Sequence, residues 1–147
     1  MERLRGSAES TVDEKGRFKV PAKFRETIEA AGGGEFFVTS VTGIEILVYP
    51  LPVWAAIEEK LAALPFVHRG RTKFLERYNT FGQTVQMDGQ GRLLIPALLR
   101  ETSGIGSEVL VLAQPDSLKV VDKARHFAAL AAAPITDEDY DDLARNL

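Results

Sequence analysis

The chain has 147 residues, of which 45% are hydrophobic and 27% are charged, and its formal net charge is −3. This composition is typical of a folded protein, and the length suffices for one ordinary domain or two very small ones. The sequence contains no cysteine, which excludes a disulfide framework, a thiolate metal site and a cysteine nucleophile.

Charge is unevenly distributed along the chain. Residues 1–25 carry seven Lys or Arg against four acids, whereas residues 137–145 carry five acids against one Arg. The first segment would attract phosphate and the last would repel it. No stretch approaches the roughly 20 apolar residues of a membrane span, so we expect a soluble, cytoplasmic protein with no membrane partner.

The first predicted element is a tight hairpin loop that leads into a short strand over 17–20. Asp13 begins the loop because its carboxylate can accept backbone N–H bonds, and Gly16 supplies the positive φ that such a loop needs. Pro21 follows the strand and suits the first turn of a helix, which Gly32 ends.

Two further strands and two helices follow in the first half of the chain. The strands alternate or are continuously apolar, and Pro65 stops the first of the helices. The predicted elements are strands over 35–39 and 44–49, a helix over 52–64 and a linking helix over 71–78.

The hairpin pattern returns 75 residues later. Residues 86–101 align with residues 11–26 at this constant offset, and seven of the sixteen positions are identical. The identical pairs are Asp13/Asp88, Gly16/Gly91, Arg17/Arg92, Pro21/Pro96, Ala22/Ala97, Arg25/Arg100 and Glu26/Glu101. We interpret the chain as a tandem duplication with units 1–70 and 71–147.

The second unit repeats the order of the first. Gly104 ends its short helix, and a final helix is predicted because Thr136 and Asp139 are spaced as a capping pair. The predicted elements are strands over 92–95, 108–113 and 117–121, this short helix with Pro96 in its first turn, and helices over 122–133 and 137–146.

Both copies of Asp-x-x-Gly-Arg are followed, after three residues, by Pro-Ala. With Arg5-Gly6-Ser7 ahead of the first copy and Tyr49-Pro50-Leu51 closing its unit, nearly the whole chain resembles the MraZ family. The resemblance implies an α+β, mainly β, fold of two AbrB/SpoVT-like units. These would be swapped-hairpin β-barrel units with short helices, and one chain would supply both halves of a fold that elsewhere requires a dimer.

The resemblance also implies a function. In the family, the Asp-x-x-Gly-Arg segments form DNA-facing loops, chains assemble into rings, and the protein binds short direct repeats in the promoter of its own division and cell-wall operon. The chain would thus be a nucleoid-associated transcriptional regulator, with double-stranded DNA and further copies of itself as partners. No cofactor or small-molecule substrate is implied.

Residue by residue, the resemblance assigns the main DNA contacts to Arg17 and Arg92, a phosphate contact to Lys15, and loop shaping to Asp13, Gly16, Asp88 and Gly91. A guanidinium on a rigid turn can pair bidentately with guanine or with a phosphate. The second loop has Gln90 in place of Lys15, so we expect it to bind DNA less strongly.

The other repeated or charged residues have less specific interpretations. Arg25 and Arg100 lie inside predicted helices, which favours an interface or an intramolecular salt bridge. The segment 68–73, with Arg77, either follows a DNA backbone or is a solvated linker. His68 and His126 lack the spacing of metal ligands.

Six aromatic residues are expected in the core or at a subunit interface, because their spacing does not suggest a platform for stacking bases. They are Phe36, Phe37, Trp54, Phe66, Phe74 and Phe81.

Two other classes of function compete with a DNA-binding regulator. An antitoxin-like or scaffolding member of the same fold would bind mainly protein, since a fold alone does not determine function. An enzyme on a small β-barrel is disfavoured, because the sequence shows no nucleophile–base set, phosphate loop or metal-spaced cluster.

Overall fold

The computed structural model describes residues 2–147, and within them the two halves of the chain have the same order of elements. The first half comprises β1 (Ser7–Thr11), β2 (Arg17–Lys19), α1 (Ala22–Gly32), β3 (Glu35–Thr39), β4 (Ile46–Pro50), α2 (Leu51–Ala62) and α3 (Arg69–Phe81). The second comprises β5 (Gln83–Gln86), β6 (Arg92–Leu94), α4 (Ala97–Ser103), β7 (Glu108–Ala113), β8 (Leu118–Asp122), α5 (Lys123–Ala132) and α6 (Asp137–Asn146).

The two halves exchange their first strands. A six-stranded antiparallel sheet has the order β1-β7-β8-β4-β3-β5, so β1 pairs with the second half and β5 with the first. The order is the same when read from either edge with the halves interchanged, as expected for a duplicated fold with a pseudo-two-fold axis between β4 and β8. The swapped-hairpin, mainly β fold is confirmed.

The predicted barrel does not close. Strands β1 and β5 are the edges of the large sheet, and β2 and β6 form a separate two-stranded sheet. Because strands from both halves share each sheet, the division into units 1–70 and 71–147 stays a prediction about the sequence repeat. None of the helices described within residues 2–147 is long and apolar enough to span a membrane.

Strands β2 and β6 form a short antiparallel ribbon, in which Phe18 lies opposite Leu93. Two further hydrogen bonds extend the pairing at either end: Val20 N donates to Gly91 O at 2.9 Å, and Ile95 N donates to Gly16 O at 2.8 Å. Successive strand residues point to opposite faces. Phe18 and Leu93 therefore enter the core, and their neighbours form the outer face of the ribbon.

The core lies between the large sheet, the ribbon and the two short helices α1 and α4. Phe24 and Ile28 are one helical turn apart on α1 and are buried, as is Leu99 on α4. The strands contribute mainly Val, Ile and Leu from alternate positions. The two halves thus share a single apolar core.

The helix ends differ slightly from the predicted ones. Gly32 is the last residue of α1, and Gly33 adopts the left-handed conformation that ends it, with φ 59°. Pro21 is the N-cap of α1 and not a residue of its first turn. The segment 68–73 is not a linker, because α3 begins at Arg69 and His68 Nδ1 accepts a hydrogen bond from Arg71 N.

An aromatic cluster fixes α2 and α3 against the sheet. The Trp54 ring lies 4.7 Å from Phe37 and 4.6 Å from Tyr78, measured between ring centroids. Phe36, Phe37 and Trp54 are buried, as predicted, but Phe66 is 86% exposed and does not belong to the core of this chain. Phe74 is also exposed, whereas Phe81 packs against the core.

The packing of the ribbon and of α4 predicts that alanine substitutions of two leucines differ sharply in their effect on stability. Leu93→Ala removes a fully buried side chain and should lower the free energy of unfolding by about 2–5 kcal/mol. Leu98→Ala, on the exposed side of α4, makes the same chemical change at a residue that is 43% exposed, and we expect less than about 1 kcal/mol. Urea denaturation of both variants checks this, and equal losses would contradict the assigned packing.

Candidate nucleic-acid interface

The first hairpin loop is organised by one carboxylate. Asp13 Oδ1 accepts hydrogen bonds from Lys15 N at 3.0 Å and Arg17 N at 2.9 Å, and Asp13 Oδ2 accepts one from Arg17 Nε at 2.9 Å. Gly16 N donates to Asp13 O, and Gly16 has φ 82°. Asp13 therefore fixes both the loop backbone and the guanidinium of Arg17.

The second loop repeats this geometry closely. Asp88 Oδ1 accepts hydrogen bonds from Gln90 N and Arg92 N, both at 2.9 Å, and Asp88 Oδ2 accepts one from Arg92 Nε at 2.7 Å. Gly91 has φ 77° and donates to Asp88 O. Two loops 75 positions apart in sequence thus hold an arginine in the same way.

The two loops lie at opposite ends of the ribbon, and their charged side chains approach one another to form a ring. Arg17 Nη1 lies 3.9 Å from Asp88 Oδ2, and Arg92 Nη1 lies 3.9 Å from Asp13 Oδ2. Each guanidinium therefore faces its own aspartate and that of the other loop. The arginine side chains are 28% and 27% exposed, so they remain open to solvent on one side.

Hydrogen bonding keeps both aspartates ionised. The backbone N–H of Arg17 lowers the pKa of Asp13 below its usual value of 3.8, and partial desolvation opposes this effect. The backbone N–H of Arg92 lowers the pKa of Asp88 in the same way. Arg17 and Arg92 thus face full negative charges near neutral pH.

Helices from the opposite half cover each loop. An alanine Cβ at Gly91 would lie 2.8 Å from Arg25 Cζ, and one at Gly16 would overlap the guanidinium of Arg100. Arg25 also donates to Gly89 O at 3.4 Å and lies 3.6 Å from Glu29 Oε2. The intramolecular salt bridge predicted as one option for Arg25 is therefore present, and each loop glycine leaves room for an arginine from the other half.

The outer face of the ribbon includes a lysine that was not among the predicted site residues. Lys19 lies opposite Arg92 in the β2–β6 register and is exposed. Alternation along the strand would have indicated it, because Arg17 and Lys19 are two residues apart and lie on one face. The equivalent of Lys19 in β6 is Leu94, which lies opposite Arg17, so β2 contributes one more cation to this face than β6 does.

The two loops differ in the residue at their tips. Lys15 is exposed at the tip of the first loop, and Gln90 occupies the same position in the second. Among residues 2–147, no three His, Cys, Asp or Glu side chains are grouped in a way that could hold a metal ion.

Comparison with known proteins identifies the family. The family model described as "MraZ protein, putative antitoxin-like" matches residues 4–77 and 82–146. The chain belongs to the MraZ family. It is 40% identical over 141 residues to a protein of Acidobacterium capsulatum named "Transcriptional regulator MraZ", a match that covers 96% of this chain and 97% of that protein.

Two further relatives bear the same name. The protein of Koribacter versatilis is 45% identical over 138 residues, which cover 92% of this chain and 93% of that protein. The protein of Nitrosomonas europaea is 36% identical over 122 residues, which cover 83% and 82% respectively. The MraZ family assignment and its non-enzymatic role in transcriptional regulation agree with the sequence analysis.

The covering arginines predict unequal effects of two glycine substitutions. Gly16→Ala combines an unfavourable φ of 82° with overlap of Arg100, whereas Gly34→Ala has a similar φ of 87° and open space around its Cβ. We expect Gly34→Ala to cost about 1–2 kcal/mol of unfolding free energy and Gly16→Ala distinctly more. Thermal or urea unfolding of both variants measures the difference, and equal costs would show that Arg100 moves aside freely.

The lowered pKa values of Asp13 and Asp88 predict that acid reduces the free energy of unfolding. A carboxyl whose pKa is lower in the folded state stabilises the fold above its ordinary pKa, and this contribution is lost as the pH falls through the folded-state pKa. The unfolding free energies of wild type and Asp13→Asn/Asp88→Asn should therefore differ by a constant amount above about pH 5, and this difference should shrink as the pH falls below about 4. A difference that changes mainly between pH 6 and 8 would contradict this.

Proposed function

We propose that this chain regulates transcription by binding double-stranded DNA through the outer face of the β2–β6 ribbon. The observation that carries the proposal is the pair of arginines, Arg17 and Arg92, each held by an aspartate on a rigid loop. Its site would be short direct repeats in the promoter of its own division and cell-wall operon. This role places the protein at the nucleoid, in the cytoplasm.

The geometry of the ribbon suits DNA. A two-stranded antiparallel ribbon has the width that the major groove of B-DNA admits. Because Nε of each arginine is bound to its aspartate, little side-chain freedom remains to be lost on binding. The terminal nitrogens on the solvent side are available to a base edge or a phosphate.

The charge of the ribbon explains why one copy would bind weakly. Asp13 and Asp88 offset Arg17 and Arg92, and the exposed lysines of the first loop and strand supply most of the remaining positive charge. Affinity at a promoter would therefore depend on several copies acting together. We propose a ring-shaped homo-oligomer, because head-to-tail contacts present the ribbons in one orientation, as direct repeats require.

The two loops predict unequal DNA contacts. Arg17→Ala removes a cation from the loop that carries Lys15, whereas Arg92→Ala removes one from the loop that has Gln90 at the same position. Each should cost about 1–3 kcal/mol of binding free energy, with Arg17→Ala the more costly. Fluorescence anisotropy with the DNA upstream of the gene measures this, and Lys60→Ala, which removes an exposed cation from α2, is the control. Equal losses of affinity would contradict stronger DNA binding by the first loop.

The decisive experiment compares the upstream DNA with a scrambled duplex at two salt concentrations, for wild type and Arg17→Ala/Arg92→Ala. The proposal expects tighter binding of the native sequence, weakening with salt, and loss of this preference in a double mutant that is still folded. Equal binding of both duplexes, or a double mutant that binds like wild type, would show that the ribbon is not the DNA contact.

A protein-binding role is the second candidate, in the sense of an antitoxin-like or scaffolding module. The observation that favours it is the large apolar surface of the C-terminal helices, where Phe127 and Leu130 on α5 and Tyr140 and Leu143 on α6 are more than half exposed. This candidate predicts DNA affinity no better than the non-specific level of about 10⁻⁴–10⁻⁶ M.

A further inference from the structure

The ribbon by itself does not define one direction along DNA. Its two strands are related by the pseudo-two-fold axis, which exchanges Phe18 with Leu93 and Arg17 with Arg92. A duplex would therefore meet similar arginine contacts in two opposite orientations. A two-fold symmetric contact surface matches a palindrome, whereas repeats that all point the same way require one preferred orientation. A difference between the two halves must supply that preference.

The two halves differ in charge on the surface that flanks the ribbon. Three exposed cations of the first half correspond, at the offset of 75 residues, to neutral residues of the second. The equivalent pairs are Arg5/Thr80, Lys19/Leu94 and Lys23/Leu98. We call Arg5, Lys19 and Lys23 the basic flank. None of the three forms an ion pair with an acid of residues 2–147.

The basic flank continues the ribbon past the second loop. Lys19 lies opposite Arg92, at the end of the ribbon that carries this loop. The Lys19 carbonyl accepts a hydrogen bond from Ser10 Oγ at 2.6 Å, and Lys23 Nζ donates to Ser7 O at 2.6 Å. Ser7 and Ser10 are three residues apart on β1, or about 10 Å. The flank thus follows β1 over the length of about three phosphates of one DNA strand, at about 3.4 Å each.

Backbone contacts hold the basic flank in place. Arg5 precedes Gly6, whose carbonyl accepts a hydrogen bond from Ala113 N at 2.8 Å. A Cβ on Gly6 would lie 3.1 Å from Lys23 Nζ, so Arg5 and Lys23 are neighbours. An ammonium group has three donors, and the bond to Ser7 O uses one of them. Lys23 therefore keeps two donors for a phosphate on a side chain that is already fixed.

The nearby acids do not cancel this difference in charge. Glu9 of β1 pairs with Lys123, at 2.7 Å. As the neighbour of Ser10, it points to the opposite face of the strand. Glu26 on α1 recurs as Glu101 on α4, so it contributes equally to both halves. The basic flank therefore adds positive charge beyond the second loop that has no counterpart beyond the first.

We infer that the basic flank binds the phosphate backbone of DNA beyond the second loop and thereby fixes the direction in which each chain lies on its site. Phosphate contacts position a protein but carry no sequence information. The flank therefore adds affinity without changing the preferred bases. Beyond the first loop, the equivalent surface with Leu94 and Leu98 offers no such contact. The inference rests on the proposed function and adds an orientation to it.

The dependence of binding on salt tests the contact. Each phosphate contact contributes about 0.9 to the slope of log K against log salt concentration. Arg5→Gln/Lys23→Gln should lower this slope by about 2 and weaken binding about tenfold at about 0.1 M salt, equally for native and scrambled duplexes. Lys60→Gln/Arg145→Gln is the matched control, because it removes two exposed cations outside the ribbon and its flank. Fluorescence anisotropy measures both variants.

Tethered cleavage of DNA tests the orientation. The chain has no cysteine, so Ala22→Cys and Ala97→Cys each attach one iron-chelate reagent, at equivalent exposed positions beyond opposite ends of the ribbon. On a duplex with one native repeat, each should cut on one side only, and the two on opposite sides. In an Arg5→Gln/Lys23→Gln background, each should cut on both sides. Leu98→Lys, which gives the second half a counterpart of Lys23, should have the same effect.

Three results would overturn the inference. An unchanged salt slope in Arg5→Gln/Lys23→Gln would exclude the phosphate contact. Cleavage on both sides in the otherwise wild-type chain, or one-sided cleavage that persists in Arg5→Gln/Lys23→Gln, would exclude the assigned role in orientation. Circular dichroism checks that each variant is folded. The proposed function fails in a different way, through equal binding of native and scrambled DNA or through Arg17→Ala/Arg92→Ala that binds like wild type.

Discussion

The pairing of β2 with β6 is the interaction on which the rest of the structure depends. It places Phe18 and Leu93 side by side in the shared core and brings the two Asp-x-x-Gly-Arg loops to opposite ends of one ribbon. Without that pairing, the four charged groups of the loops would not form a ring. The large sheet supports this pairing, because β1 and β5 each pair with a strand of the other half and so bring the two hairpins together.

The ring of charges fixes the orientation of the two arginine side chains but leaves the ribbon with little net positive charge. Two aspartates beside two arginines remove most of the net charge that would draw in DNA, but they fix the direction of each guanidinium. Arg25 and Arg100 add a second constraint, since each occupies the space that the glycine of the opposite loop leaves open. Under the proposed function, a site built in this way would depend on repeated copies for affinity and on geometry for selectivity.

The family resemblance predicted the fold class, and the residues themselves predicted most elements and the turn of both loops. Strands β3 and β7 and helix α6 were predicted with their observed bounds, because apolar runs and a capping pair mark them locally. The open sheet and the contacts of Arg25 and Arg100 with the opposite loops were not predicted, since they depend on pairing between distant segments. The sequence left Phe66 in the core or at a subunit interface, because composition does not distinguish a buried aromatic residue from an exposed one, and the structure excludes only the core.

The exchange of strands has a consequence for how the chain folds during synthesis. Ser7 pairs with Leu112, so the first strand has no partner until most of the protein has left the ribosome. Contacts between such distant segments slow folding and leave strand edges unpaired in the meantime. The duplication replaces the encounter of two separate chains with one slow intramolecular step, and a chain interrupted between its two halves would have neither a complete sheet nor a ribbon.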